Sequence, residues 1–238
     1  MKRHIKAHSH KLVGILNGVD YDEWNPKTDK LIPFNYDIEN IEVKKLNKLV
    51  LQERMGLKKN EKKALIGLVS RFAKQKGIEL IAQAMEGLLG LSADFVFLGS
   101  GEKWAEGFFS DIAAKYPNFR VWVGYNNVLA HLIEAGSDLF LMPSLFEPCG
   151  LNQMYSLRYG TPPVVRAVGG LNDSVENYNP FTKEGDGFKF ALYNTLKWAV
   201  ETYYYDSGYK IIQKKGMQKR FSWEKSAKEY EKIYKELI

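Results

Sequence analysis

Two basic residues, Arg71 and Lys76, are the first candidates for chemistry in this sequence. Arg71 ends an apolar run that predicts a strand, and Lys76 begins the helix that follows. A helix N-terminus offers free N–H groups and the positive end of the helix dipole, which favour phosphate. The two cations could therefore hold a diphosphate and stabilise the charge that grows on a leaving group. From position alone, two surface cations on a loop explain the pattern equally well.

An acidic residue, Glu147, follows a later strand and precedes Pro148, which fixes the loop. A carboxylate at this position could accept hydrogen bonds from sugar hydroxyls, or it could merely complement a helix dipole. The next four residues open a predicted helix whose amides could face an anion or a sugar oxygen, namely Cys149, Gly150, Leu151 and Asn152. Cys149 itself is either a reactive thiol or, as the safer interpretation, a small packed residue.

Three further groups follow predicted strands. Asn17 follows the first, and Tyr125 follows the fourth after Gly124. An exposed aromatic ring in a crevice can stack on a base, although a lone aromatic residue is more often core or rim packing. Gly99-Ser100-Gly101 is a weak phosphate-loop signal without the third glycine of a dinucleotide fingerprint, so we expect a tight turn there.

The elements that must position these residues alternate between strands and helices. Short apolar runs predict six strands, at Leu12–Leu16, Ala64–Val69, Phe95–Leu98, Phe119–Val123, Leu139–Met142 and Pro163–Val168. Helical spacing lies between them, at Val43–Met55, Gly77–Leu89, Gly107–Tyr116, Asn127–Ala135 and Leu151–Tyr159. This alternation predicts an α/β fold, a parallel sheet with helices on both faces. The carboxyl ends of such strands line one crevice, so the candidate residues should meet there.

The composition is that of a folded globular protein, with 34 Lys+Arg against 28 Asp+Glu and a net charge of +6. The positive excess is either a solvated basic face or an attraction for an anionic ligand. We expect no nucleic-acid partner, because aromatic and basic residues do not interleave, and no membrane partner, because the apolar runs are too short. The single Cys149 fits a reducing compartment such as the cytoplasm. His4, His8 and His10 match no metal motif.

The chain divides into unequal segments. We expect residues 1–10 to be a flexible leader and 11–220 to form the α/β domain, with a polar insertion at 20–60. Residues 221–238 predict a last amphipathic helix, which begins at Ser222 and carries Tyr230, Tyr234 and Leu237. Such a helix needs an apolar surface to lie on, in this domain or in another one.

Several segments together resemble the bacterial glycogen synthase and plant starch synthase family. The similar stretches are KLVGILNGVDYDEW (11–24), LVSRFAKQKG (68–77), FLGSG (97–101), GYNNVLAHLIEAG (124–136), FLMPSLFEPCGLNQMYSLRYG (140–160), VVRAVGGLNDSV (164–175) and FSWEKSA (221–227). Their order and spacing agree from about residue 10 to the end. The resemblance implies the Rossmann-like C-terminal half of a two-domain GT-B glycosyltransferase that retains the sugar's configuration. It also implies an enzyme that transfers glucose from ADP-glucose to an α-1,4-glucan without a metal ion or cofactor, in the cytoplasm or in a plastid.

The resemblance also implies roles for individual positions. Arg71 and Lys76 match the pair that binds the diphosphate, and Glu147 matches the acidic residue on the glucose hydroxyls. Tyr125 matches the aromatic that stacks on adenine, and Asn17 an asparagine close to the glucose. The backbone of the adjoining loop, Cys149, Gly150, Leu151 and Asn152, would contact sugar and phosphate. Tyr155 stands where a broader class of related transferases has a second Glu, and a tyrosine there is usual for the synthases.

Two departures from the family pattern are visible. The Lys-x-Gly-Gly-Leu motif and the catalytic-site histidine of the family's N-terminal half are not in this sequence. We therefore expect a donor-binding domain that lacks full activity alone. The resemblance also implies that the C-terminal helix, 221–238, packs on the missing N-terminal domain, so this chain alone should leave an apolar patch of the helix exposed. The family usually has an additional loop before the helix that follows Phe190-Ala191, and here that loop is either truly deleted or left out of this sequence. Two alternatives stay open at this point, a related transferase that uses UDP-glucose and a non-catalytic nucleotide-sugar-binding module.

Overall fold

The centre of the protein is a sheet of six parallel strands. In chain order they are β1 (Ala64–Val69), β2 (Ala93–Gly99), β3 (Phe119–Val123), β4 (Leu139–Met142), β5 (Pro163–Val165) and β6 (Phe188–Lys189). The computed structural model describes residues 8–189 and 192–236. The spatial order is β3-β2-β1-β4-β5-β6, so the direction of winding reverses between β1 and β4. In sheets of this order the ligand crevice lies at that reversal, outside the carboxyl ends of the strands.

Helices connect the strands and cover the sheet. They are α1 (Lys44–Arg54), α2 (Ile78–Leu89), α3 (Lys103–Lys115), α4 (Asn127–Gly136), α5 (Asn152–Arg158), α6 (Gly169–Ser174), α7 (Leu192–Tyr205), α8 (Gly208–Gln218) and α9 (Trp223–Glu236). Short 3-10 turns occur at Ser9–Lys11, Ile41–Val43 and Lys74–Lys76. The predicted stripe of α2 is buried against the sheet through Ile78, Ile81, Met85 and Leu88. Both β1 and β2 are almost wholly buried, as expected for strands covered on two faces.

The predicted parallel sheet with helices is confirmed, with two errors among its strands. Leu12–Leu16 is not a strand, and Leu12 and Val13 are exposed. The extended segment joins the fold through Val19, whose N–H donates to the Phe221 carbonyl oxygen at 2.6 Å. The run predicted to end at Val168 ends as a strand at Val165. Strand β6 was not predicted, because two residues carry no periodicity.

The polar segment 20–60 packs on the α/β domain through a buried lysine. The Lys44 Nζ donates to the carbonyl oxygens of Glu134 (3.0 Å) and Ala135 (2.8 Å) and to Thr161 Oγ1 (2.6 Å). Burial lowers the pKa of Lys44 to about 7 and raises the pKa of the Glu134 carboxyl to about 8. Polar composition therefore does not make this segment peripheral, since the Lys44 ammonium lies in the interior with partners.

The last helix presents an aromatic face to solvent, as its sequence predicts. Trp223, Tyr230 and Tyr234 are exposed on α9, and Ser226 is its buried residue. The Ser226 hydroxyl donates to the carbonyl oxygen of Leu16 at 2.7 Å and ties the helix to the N-terminal segment. Leu237, the Phe190-Ala191 link and most of the predicted 1–10 leader lie outside the described residues. None of the helices described for this chain is long and apolar enough to cross a bilayer.

Candidate functional site

A cavity of about 580 Å³ opens at the carboxyl ends of β1 and β4, where the sheet reverses direction. Its volume is in the range of small-molecule sites. All nine residues predicted as site residues line it: Asn17, Arg71, Lys76, Tyr125, Glu147, Cys149, Gly150, Leu151 and Asn152. The sequence places these residues on four separate segments, and the strand order brings them together.

The loop after β1 is held at Phe72, the residue that follows Arg71. The Phe72 N–H donates to the Ser100 carbonyl oxygen at 2.8 Å, and the Glu102 N–H donates to the Phe72 carbonyl oxygen at 2.7 Å. Gly99-Ser100-Gly101 is thus the tight turn predicted, and a Cβ on Gly99 would lie 1.9 Å from the Ser70 carbonyl oxygen. Arg71 is exposed, and its guanidinium has no hydrogen bond or ion pair within residues 8–189 and 192–236.

Lys76 ends the 3-10 turn Lys74–Lys76 and points across the cavity to Glu147. Gly77 follows it at φ 75°, a left-handed conformation that favours glycine, and lets α2 start against the carbonyl oxygen of Pro143. The Lys76 Nζ lies 2.5 Å from Glu147 Oε2, and the two side chains are 21% and 8% exposed. The same carboxylate oxygen accepts from the Ser144 hydroxyl at 3.2 Å. Within the described ranges, Arg71 is therefore unpaired, whereas Lys76 is already paired with Glu147.

The loop that carries Glu147 rests on the start of α6. The Gly170 N–H donates to the Glu147 and Pro148 carbonyl oxygens at 3.0 and 3.2 Å. A Cβ on Gly170 would lie 2.1 Å from the Cys149 carbonyl oxygen, so only glycine permits this approach. From below, the buried Gln153 amide donates to the Cys149 carbonyl oxygen at 2.9 Å. The position of Glu147 is thus set by backbone contacts on both sides of its loop.

Cys149 behaves as a packed residue in this site. Its Sγ accepts from the Asn17 N–H at 3.3 Å, which brings the N-terminal segment to the cavity wall. Burial raises the pKa of the Cys149 thiol, and the nearby Glu147 charge raises it further. A thiol with a raised pKa holds less of the reactive thiolate at neutral pH. These contacts agree with the predicted packing role.

Tyr125 is the most accessible aromatic residue of the cavity wall, with 89% of its surface exposed. The next residue, Asn126, caps α4, since its Oδ1 accepts from the Leu129 N–H at 2.9 Å. The cap fixes the backbone beside Tyr125 and leaves its ring free to stack on a planar group. Tyr125 is therefore not a core residue.

Two aromatic residues near the candidate site, Trp24 and Tyr155, do not line the cavity. Trp24 stacks between His131 and Tyr155, with ring centroids 3.8 and 3.9 Å apart. His131 is fully buried beside Asp29 and belongs to the interior of the fold. Burial raises the pKa of Tyr155 to about 12, so its hydroxyl stays protonated at neutral pH.

Sequence reasoning placed Ser144 at the cleft but missed its contact with Glu147, and it missed the polar support that Gln153 gives to the loop. Ser144 follows the end of β4 and is buried against Glu147. Gln153 lies in the first turn of α5, fully buried under the loop. A buried position for Gln153 could have been found from the apolar spacing of its helix, where a lone polar residue needs a partner. The contact of Ser144 with Glu147 depends on the loop conformation, which spacing does not give.

The arrangement can bind an anion beside a hydroxyl-bearing group. Arg71 and Lys76 supply positive charge, and the Glu147 carboxylate supplies acceptors for hydroxyls. Tyr125 supplies a flat apolar face. Among the residues that the structure describes, no three His, Cys, Asp or Glu side chains form a metal cluster.

Comparison with known proteins identifies similar chains. A profile of the family described as "Glycosyl transferases group 1" matches residues 51–204. Two curated proteins, "Glycogen synthase 1" of Geobacter metallireducens and of Geobacter sulfurreducens, are 50% and 51% identical over 239 residues. The catalytic domain of starch synthase IV from Arabidopsis thaliana, solved bound to ADP and acarbose, is 36% identical with a TM-score of 0.90. These similarities confirm the resemblance predicted from the sequence and the Rossmann-like, GT-B type of fold.

The matches cover nearly all of this chain but only part of the other proteins. The two Geobacter alignments span 97% of this chain and 47% and 48% of the relatives. The starch synthase superposition spans 98% of this chain and 50% of that one. The chain therefore spans about half the length of the curated relatives it matches.

Proposed function

Because this chain belongs to the glycosyl transferases group 1 family, we propose that it forms the donor-binding half of a retaining glucosyltransferase that extends an α-1,4-glucan from ADP-glucose. The observation that carries the proposal is the convergence of Arg71, Lys76 and Glu147 on one cavity at the reversal of the sheet. A diphosphate needs cations, a sugar needs hydrogen-bond acceptors, and a base needs a flat face. The cavity supplies all three from rigid segments.

In this proposal Arg71 and Lys76 bind the diphosphate and stabilise the negative charge that grows on it as the glycosidic bond breaks. A fixed cation at a developing charge acts without reorganisation, because the loop that carries it is already hydrogen-bonded in place. Glu147 orients the glucose by accepting hydrogen bonds from its hydroxyls. The hydroxyl of the glucan chain then attacks from the face that the diphosphate leaves. We assign no covalent role to Glu147.

The remaining contacts follow from the cavity wall. Tyr125 stacks on the adenine, and Asn17 reaches the glucose from the side of the N-terminal segment. The loop and helix start at Cys149, Gly150, Leu151 and Asn152 present backbone groups to sugar and phosphate. ADP as the nucleotide is supported by the ADP-bound starch synthase IV neighbour. The glucan acceptor is supported by the names of the glycogen synthase relatives.

The chain alone should bind nucleotide without transferring glucose. The test is calorimetric titration of the 238-residue chain with ADP and, in parallel, with UDP. We expect ADP to bind more tightly than UDP. Arg71→Ala should weaken ADP binding by about one to two orders of magnitude, since a charge-assisted contact to a phosphate is lost. Arg54→Ala is the matched control, because Arg54 is an exposed arginine on α1 that does not line the cavity.

Each outcome has a distinct meaning. Unchanged ADP affinity in Arg71→Ala would refute the diphosphate assignment. Tighter binding of UDP than of ADP would favour a UDP-glucose enzyme. Binding of neither nucleotide would contradict a preformed donor site in this chain.

A further inference from the structure

The two cations of the cavity are in different electrostatic states. Arg71 is exposed and free of partners within the described residues, whereas Lys76 already contacts Glu147 at 2.5 Å. The Glu147 side chain is 8% exposed, so water can do little to replace Lys76 as its partner. Any anion that contacts Lys76 must therefore share its ammonium group with the buried Glu147 carboxylate or break the ion pair.

A free nucleoside diphosphate and a nucleotide sugar differ in the hydrogen-bond donors that they offer to Glu147. The diphosphate of either ligand adds negative charge next to a carboxylate, which is unfavourable at short range. A sugar also brings hydroxyl donors, which can replace the Lys76 ammonium at the buried carboxylate. Free nucleotide brings no such donors to Glu147, which would keep the Ser144 hydroxyl as its side-chain donor within the described part of the chain.

We propose that the Lys76–Glu147 ion pair makes the cavity discriminate against free ADP in favour of ADP-glucose, and that Ser144 is the positioning residue that keeps Glu147 directed into the cavity. The proposal rests on the proposed function, since it assumes a nucleotide-sugar donor. Ser144 is buried, and its hydroxyl touches the same Oε2 atom as Lys76. It can therefore hold the carboxylate in place when Lys76 turns to the diphosphate.

The ion pair also favours release of the product. Once glucose has left, ADP no longer satisfies Glu147, and re-forming the pair with Lys76 competes with the diphosphate. Affinity differences of this kind are expressed mainly in dissociation rates. A donor site that bound ADP as tightly as ADP-glucose would be inhibited by its own product.

The test is titration of ADP and of ADP-glucose into four forms of the chain: unaltered, Glu147→Gln, Ser144→Ala and the control Glu231→Gln. Glu231 forms an ion pair with Lys235 on α9, far in sequence from the site and outside the cavity lining. We expect Glu147→Gln to bind ADP about tenfold more tightly, because a negative charge next to the diphosphate is removed. Its preference for ADP-glucose over ADP should fall below that of the unaltered chain.

Ser144→Ala separates positioning from folding. We expect its ADP affinity to stay within about twofold, while its ADP-glucose affinity falls by about tenfold, because a hydrogen bond to a charged group is lost. A purely structural defect would weaken both ligands alike. This arm keeps the inference falsifiable should the Glu147 variant not fold.

Several results would overturn the inference. ADP binding to Glu147→Gln that is no tighter than to the unaltered chain would refute the discrimination and leave the proposed function standing. Equal loss of both ligands in Ser144→Ala would refute the positioning role. Binding of neither ligand to the unaltered chain would refute the proposed function, and the inference with it.

Discussion

Replacing Lys76 by Met should destabilise the fold because it leaves the buried Glu147 carboxylate without its cation. Met has a similar length and fills the same space, but it removes the cation 2.5 Å from Glu147 Oε2. Glu147 would then be a buried carboxylate that keeps, among the described residues, only the side-chain contact with the Ser144 hydroxyl. An uncompensated buried charge is among the few causes of a large single-residue effect.

The magnitude follows from the geometry of the pair. At 2.5 Å and an effective dielectric constant of about 20, the Coulomb attraction is about 7 kcal/mol before desolvation is subtracted. Breaking a fully buried pair typically costs about 3–5 kcal/mol. The 21% exposure of the Lys76 side chain admits some water, so we expect about 2–3 kcal/mol for this pair. In a chain of this size that corresponds to a melting temperature lower by about 5–10 °C.

The assay is urea unfolding of Lys76→Met, Glu147→Gln and the double variant, followed by circular dichroism. The double variant leaves no unpaired charge, so it should recover most of the stability that Lys76→Met loses. A stability of Lys76→Met equal to that of the unaltered chain would refute the reasoning. So would a double variant whose loss is the sum of the two single losses.

Two further predictions concern the loop support and the buried carboxyl. Gly170→Ala should weaken ADP-glucose binding at least about tenfold in calorimetry, because the new Cβ would lie 2.1 Å from the Cys149 carbonyl oxygen. The control Gly107→Ala should leave the affinity unchanged, because a Cβ at Gly107 would have no atom within 4 Å. Between pH 4.5 and 7, the free energy of unfolding should fall as pH rises. Burial raises the pKa of the Glu134 carboxyl from 4.5 to about 8, so in this range the unfolded chain releases the Glu134 proton while the folded chain keeps it. Urea unfolding across this range should show a shallower fall for Glu134→Gln, and an equally steep fall would contradict the assignment.

The sequence was most informative where strands end. Arg71 and Glu147 each follow an apolar run, and parallel strands carry such residues to one edge of the sheet. Their convergence could therefore be predicted without knowing a single contact. The same reasoning failed at Leu12–Leu16, because a short apolar run becomes a strand only when a neighbouring strand pairs with it. Among the described residues, the β-type pairing next to that segment is an isolated bridge between Val19 and Ser222.

The sequence could not predict which side chains of separate loops contact each other. Lys76 and Glu147 were predicted to serve different parts of a ligand, and nothing in their spacing indicates that they pair with each other. The contact arises because Gly77 and Gly170 let separate loops approach within a distance that no Cβ would allow. Such approaches depend on tertiary packing, which outweighs local propensity.

The loops around the cavity are tied to one another, and this bears on how fast a ligand can enter. The Leu145 N–H donates to the Gln75 carbonyl oxygen at 2.8 Å, and the Asn152 side chain donates to the Val69 carbonyl oxygen at 2.8 Å. With the backbone cross-linked in this way, the movable parts of this half are side chains such as Arg71 and Tyr125. Exposed side chains change rotamer in picoseconds to nanoseconds, far faster than loops open. Ligand entry into this half should therefore be limited by diffusion and orientation, with no slow opening step of its own.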